Sequence, residues 1–536
     1  MPEDIRDVLS ELIETYGIKI LEDPDRLSQF LEDRCGARPE ETFHLTFALR
    51  YLLRSGWRAS RKEYMKRGGG RAAALTSQLG FTGEEAERVV SLIDWMMEQE
   101  YGGNDDTEAA SDGDNIFVAT PGNLKKISGG ISKRPRGKLP RQKSIYNGLI
   151  MLASVVVLAI LFFQISSQRT PVGDELRIAF FAPMSGAQAR LGHVQLRAAQ
   201  LAVERINRQG PLRGGYRLKV VGFDLPETPE GAVAAVGKAM EDKSILAMLL
   251  GSNDGAVAEI ARLAESMEAP MVAVSPLPPS EELLDEFSMP YLYSFSLEND
   301  AAARGKMLSY FATQALKKKK IALYYDPSDK LSSQIYRSAR KWALGFGAAV
   351  VAELPYSRGG SHAAALKAFS VSGADLLMLP GVGGEAAAIV REAKNAGFNE
   401  TILGEDYTEK TSQEAGAAIE GSWWLNEISA LDPPVRSVLS DYRGLYNENC
   451  PPEDVTAAIL AYDGVRWIAS ALQNTPGFRG EAIRHTLLAT KNLALTHATL
   501  TVDPRTHLPL NKAMAAVYCA GDKGIFQRRV RINKER

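Results

Sequence analysis

The chain has 536 residues, 45% of them apolar and 24% charged, with a formal net charge of −2. This is ordinary globular composition with room for two to four domains. The near-neutral total gives no sign of a nucleic-acid partner, and Cys35, Cys450 and Cys519 lack the CxxC spacing of a zinc ribbon or redox motif.

Residues 1–100 predict a small all-α domain. Ile5, Val8, Leu9, Leu12, Ile13 and Tyr16 recur at helical spacing along one face. Asp23-Pro24 supplies an N-cap and a helix-compatible proline before Leu27, Phe30 and Leu31. Phe43, Phe47, Tyr51 and Leu52 mark a third helix. Thr82 and Glu85 form a capping box ahead of Val89, Val90, Leu92, Ile93 and Met96. These stripes read as core, which makes this an interaction domain for a cytoplasmic protein partner.

Residues 101–144 turn acidic, then basic with Pro and Gly, and are too poor in apolar groups to offset the entropy of ordering; they predict a disordered tether. Residues 145–165, IYNGLIMLASVVVLAILFFQI, contain no charge. As a helix this run spans about 31 Å, matching a bilayer core of about 30 Å. Lys125, Lys126, Lys133, Arg134, Arg136, Lys138, Arg141 and Lys143 precede it, whereas Arg169 and Arg177 after it are diluted by Asp174 and Glu175. The positive-inside rule places the N-terminus in the cytoplasm and the rest outside, behind a single transmembrane helix in the cytoplasmic membrane. The basic run serves anionic lipid and topology rather than nucleic acid.

After a short linker at 166–175, residues 176–536 alternate apolar strands with helical stretches. LRIAFFAP, YRLKVVGFD, ILAMLLG and PMVAVSP are strands, separated by helices such as RAAQLAVERINRQG, which ends at Gly210. KIALYYD, AAVVAELPY, ADLLMLPG and TILGED follow in the same rhythm. Near-continuous apolar strands with crossovers imply buried parallel sheets, and this length calls for two doubly wound lobes, an α/β class.

FFAPMSGAQARLG, LAVERINRQGPLRGGYRLKVVGFD, LLGSNDGAVAEIARLAESMEAPMVAVSP, YLYSFSLENDAAARGK and AILAYDGVRWIASALQ, in this order, resemble type I periplasmic substrate-binding proteins of the branched-chain amino-acid receptor kind. The resemblance runs from Leu176 to about Asp503. It implies a ligand gripped between the lobes at the C-terminal strand edges. Carried over by position, it nominates Ser185, Ser252, Asn253, Asp254, Ser275, Asp326, Asp406 and Tyr407 as ligand-binding residues, and Trp423, in GSWWLNE near the expected second crossover, joins them.

The departures from that family matter. Asp254 stands where amino-acid binders carry serine, and would repel a ligand carboxylate. Pro278-Pro279 replaces an Ala-Thr pair and offers neither N–H nor hydroxyl. Lys330-Leu331 replaces a Tyr-Gly. Asp406 keeps an acid where the family binds an ammonium. Each candidate has a plainer reading: Asp254 either caps the helix near Ala256 or touches ligand, and Ser185 and Ser252 are either turn formers or contacts. Of Trp423 and Trp424, one packs into a lobe while the other is free to close over a ligand.

No GxSxG, HExxH or zinc-spaced cysteines occur in the C-terminal half, and its five histidines are scattered, so no enzyme, cofactor or metal is expected. The expected function is a membrane-anchored binding or sensing protein for a small polar solute, amino-acid-like or an amide, linked to transport or signalling. One helix per chain transmits little by itself, which favours a homodimer. The alternative is a ligand-free envelope scaffold on the same fold. Outside the cytoplasm, Cys450 and Cys519 are also candidates for a disulfide.

Overall fold

In the computed structural model, the described residues are parts of 5–52, then 83–101, 169–251, 256–274 and 291–532. The predicted tether at 101–144 beyond Tyr101, the transmembrane segment at 145–165 and the linker up to 168 lie outside them. So do Phe30, Phe43, Phe47, Tyr51 and Thr82.

Near the N-terminus, α1 (Ile5–Tyr16) and α2 (Gly83–Tyr101) are helical. Ile5, Val8, Leu9, Leu12 and Ile13 share a buried cluster with Leu27, Leu31, Leu52, Val89, Leu92, Ile93 and Met96, as the helical periodicity requires. Val90 packs at its edge.

The α/β region forms two lobes. In lobe one, β1 (Glu175–Ala182), α3 (Ala189–Gln209), β2 (Arg217–Asp224), α4 (Pro229–Ala239), β3 (Ile245–Leu250), α5 (Val257–Ser266), β4 (Met271–Ala273) and β5 (Ser294–Ser296) follow one another. The strands are all parallel, in the order β2-β1-β3-β4-β5. Side chains alternate across this sheet: Ile178, Phe180 and Ala182 enter one core, and Ala179 and Phe181 enter the other. Helix α3 stops at Gly210, whose φ of 126° lies outside the range that other residues readily adopt. Arg169 is buried where the chain enters the lobe, donating to the carbonyls of Met240 (3.2 Å) and Ile245 (3.0 Å).

Lobe two contains α6 (Ala301–Tyr310), β6 (Lys320–Tyr325), α7 (Lys330–Gly345), β7 (Ala349–Pro355), α8 (Ala363–Val371), β8 (Leu376–Leu379), α9 (Ala386–Asn395), β9 (Thr401–Glu405), α10 (Glu409–Ala415) and β10 (Trp423–Asn426). The chain then returns to lobe one as α11 (Pro433–Tyr446), α12 (Val455–Asn474) and α13 (Gly480–Leu488), adds the short pair β11 (Leu493–Ala494) and β12 (Thr499–Leu500), and crosses back as the hairpin β13 (Met514–Ala520) and β14 (Lys523–Val530). The second sheet runs β14-β13-β10-β9-β8-β6-β7, with only the C-terminal hairpin antiparallel. Pro452–Asn474 is long and apolar enough to cross a membrane, yet 78% of its most apolar stretch is buried. It is a core helix, packing Val455, Ile459, Trp467 and Ile468 into lobe one.

The chain therefore passes between the lobes three times. The crossovers are tied to each other: Ser296 N–H donates to His507 O (3.1 Å), Asn299 Nδ2 to Glu427 Oε2 (2.9 Å) and to Lys512 O (3.2 Å), and Lys512 Nζ to Leu297 O. Cys450 and Cys519 are both free, so the disulfide that the sequence left open to them is not formed. Cys450 packs at the lobe-one core and Cys519 inside that of lobe two, so each thiol has a separate apolar environment.

Candidate functional site

A cleft of about 670 Å³ opens between the lobes. Lobe one contributes the turn after β1, Val274 after β4, and the N-terminal end of α12. Lobe two contributes Asp406 to Glu409 after β9, and the crossovers contribute Glu298, Asn426 and Ile428 to Leu431. The strand ends of an α/β sheet are where a ligand site belongs, because helix N-termini and free backbone groups converge there.

The charge centre of the cleft is Arg304, 4% exposed on α6. Asp300 caps that helix by accepting from Ala303 N–H (2.7 Å), which fixes where Arg304 emerges. Its Nε bonds Glu405 Oε1 at 2.9 Å, its Nη2 lies 3.2 Å from Asp406 Oδ2, and its Nη1 lies 3.8 Å from Glu298 Oε1. Burial works against the guanidinium charge, but Glu405, Asp406 and Glu298 together hold it well above the ordinary arginine value. Glu405 is itself raised by burial, partly offset by Arg304. Glu298 is pushed up to about 8 by burial, with Glu427 adding to the effect and Arg304 and Lys512 opposing it. Burial would raise Glu427 too, yet Lys512 and the Asn299 amide hold it below its ordinary value.

Asp406 sits at a left-handed φ of 59°, so successive acids at the end of β9 diverge: Glu405 is fully buried and Asp406 is 47% exposed on the cleft wall. Tyr407 borders the cleft as well. Its backbone is clamped to the second crossover through Tyr407 N–H to Asn426 Oδ1 (3.1 Å) and Asn426 Nδ2 to Tyr407 O (2.7 Å), and its hydroxyl is engaged by Ser412 and Gly524. Across the cleft, Arg190 pairs with Glu453 (3.3 Å) and with the buried Asp454.

Of the nominated residues that are described, the structure brings Asp406 and Tyr407 together on the cleft and places three elsewhere. Ser185 donates to Asp224 Oδ2 (2.6 Å) and braces the β1 turn, with Met184 N–H on the other oxygen. Asp326 is buried, accepting from Ser328 and from Arg358 Nε (2.9 Å), so its charge is consumed within its own loop cluster. Trp423 lies in β10 against Phe311 and Tyr518 and does not line the cleft, while Trp424 is buried on the opposite face with its indole N–H on Ser422. Ser252, Asn253, Asp254, Ser275 and Pro278-Pro279 lie outside the described residues. Arg190, Glu298, Arg304 and Asp454 were not nominated. Two of them, Glu298 and Arg304, stand in LENDAAARGK beside Asn299, Asp300 and Lys306, so no local pattern set them apart from their polar neighbours.

The family model described as "Periplasmic binding protein" matches residues 175–523. The chain belongs to that family. The leucine-, isoleucine-, valine-, threonine- and alanine-binding protein of Pseudomonas aeruginosa is 22% identical over 322 residues, covering 59% of this chain and 83% of that protein. The Leu/Ile/Val-binding protein of Escherichia coli is 23% identical over 284 residues, covering 51% and 71%. Among solved structures, the branched-chain amino acid transporter substrate-binding protein of Streptococcus pneumoniae, in complex with isoleucine, aligns with a TM-score of 0.52 at 24% identity, covering 67% of this chain and all of that one. At this identity the structural likeness establishes the type I periplasmic binding protein fold. These relatives are solute-binding proteins, not enzymes.

Proposed function

We propose that this periplasmic binding protein is a membrane-anchored receptor whose extracytoplasmic lobes close on a small polar solute. The observation carrying this reading is the cleft of about 670 Å³, bordered by both lobes and by charged crossover residues. Closure would follow from tighter binding in the closed than the open state. Anchoring rests on the uncharged run at 145–165 and its basic flank. The N-terminal helices supply a surface for a cytoplasmic partner, which favours signalling or local delivery to a transporter, the role named for the Streptococcus relative.

A second reading, an envelope scaffold without ligand, is favoured by one observation: Arg190 and Arg304 are already paired inside the cleft. Thermal-shift screening of the full chain against amino acids, amides, amines, small acids and peptidoglycan fragments separates the two. Saturable stabilisation by one chemical class, lost in Asp406→Ala, is the receptor outcome. A folded chain that responds to no compound would establish the scaffold.

A further inference from the structure

We propose that the cleft selects a small organic cation, an amine or amidine without a carboxylate, held by Glu298 and Asp406 on either side of Arg304. This rests on the receptor reading and names the ligand class of that same site. Among the described residues, the cations bordering the cleft are Arg190 and Arg304, against the acids Glu298, Asp406, Glu409, Glu453 and Asp454. Both arginines already face acids, Arg190 between Glu453 and Asp454, Arg304 among Glu405, Asp406 and Glu298. Neither has a free fork for the bidentate grip that a ligand carboxylate requires.

A ligand is indicated independently by Glu298. Its side chain is 4% exposed and borders the cleft, yet its Oε2 is buried with no hydrogen-bond partner. Its Oε1, 3.8 Å from Arg304 Nη1, is beyond hydrogen-bond reach. A desolvated carboxyl without a donor is costly, and a cationic N–H donor entering from the cleft would remove that cost.

The chemistry is a coupled proton exchange. Facing Glu298 are Arg304 on α6, Asp406 after β9, Glu427 in the second crossover and Lys512 in the third. With its value at about 8, the carboxyl holds a proton at neutral pH in the empty cleft. An ammonium ligand binds the carboxylate, so the proton leaves to solvent and the complex keeps one positive ligand charge against one negative side chain. Affinity therefore climbs by up to about tenfold per pH unit between roughly pH 6 and 8, then levels.

The test is isothermal titration of the full chain in detergent with the matched probes leucine and isoamylamine, and arginine and agmatine, in buffers of different ionisation enthalpy. The expected result is that at least one amine binds ten or more times tighter than its parent amino acid and releases about one proton at pH 7. Glu298→Gln should weaken that amine at least tenfold and flatten its pH dependence, with its folding verified by an intact cooperative unfolding transition. An amino acid binding as tightly as its amine overturns the inference and leaves the receptor standing. So does binding of a carboxylate or neutral amide but of no amine. No binding by any compound overturns both.

Discussion

Replacing Glu298 with glutamine removes one proton site without changing the side-chain shape, and the structure fixes the sign of the result. Burial holds the carboxyl near 8 in the folded chain, against an ordinary value of 4.5. Between those limits the folded state keeps a proton that the unfolded state has lost. Stability therefore falls as pH rises through that window, by up to about 1.4 kcal/mol for each pH unit. Integrated from pH 4.5 to 8, this amounts to a few kcal/mol, on the order of a third of the stability of an ordinary domain. Glu298→Gln carries no such dependence. It should match the parent at pH 4.5 and exceed it by a few kcal/mol at pH 8. Glu427, whose shift is opposite in direction, is common to both proteins and drops out of the difference. Urea unfolding followed by tryptophan fluorescence is a suitable assay, because Trp342, Trp423, Trp424 and Trp467 all lie in the two lobes. Parallel stability curves for variant and parent across pH 4.5–8 would refute the reasoning, since they would mean that Glu298 ionises in the fold as it does in water.

Lys512→Met should cost about 3–5 kcal/mol in the same urea assay, because it strips the buried Glu427 carboxylate of its partner ammonium. A loss below about 1 kcal/mol would show that solvent reaches the crossovers. Gly305→Ala should destabilise by about 1–3 kcal/mol, because a Cβ there would lie 2.5 Å from Ile335 O and 2.7 Å from Ala339 N, forcing α6 away from α7. An unchanged melting temperature would disprove that packing. Cys450 and Cys519 should both alkylate in denaturant without prior reduction, as peptide mass mapping would reveal. In the folded chain Cys450 should react slowly, since burial pushes its thiol up to about 12.

Much of the fold could be read from residue patterns because buried parallel strands leave a strong local record. β1, β3, β6 and β8 stand out as apolar runs for the simple reason that helices cover both faces of their sheets. The helix stop at Gly210 was equally local. The candidate site was less legible. Asp326 does stand at the end of a lobe-two strand, but Arg358, 32 positions later, folds onto it and uses its charge. The tryptophan pair left one ring to pack into a lobe and the other open to a ligand. In fact it belongs to β10, where period-two alternation sends Trp423 and Trp424 into opposite cores of lobe two.

The sequence by itself determined the α/β lobes, the helical N-terminal stripes, the uncharged segment at 145–165 and the acid at position 406, each of which depends on neighbours a few residues away. Only the tertiary structure decided what the cleft is made of. Arg304 gathers Glu298, Glu405 and Asp406 around itself, and Lys512 reaches Glu427 from 85 positions away. Such pairings are set by where three crossovers meet, and a buried charge is tolerated only once its partner has arrived. That long-range condition leaves no periodicity in the chain, so the acidic character of the cleft emerges only when the lobes are assembled.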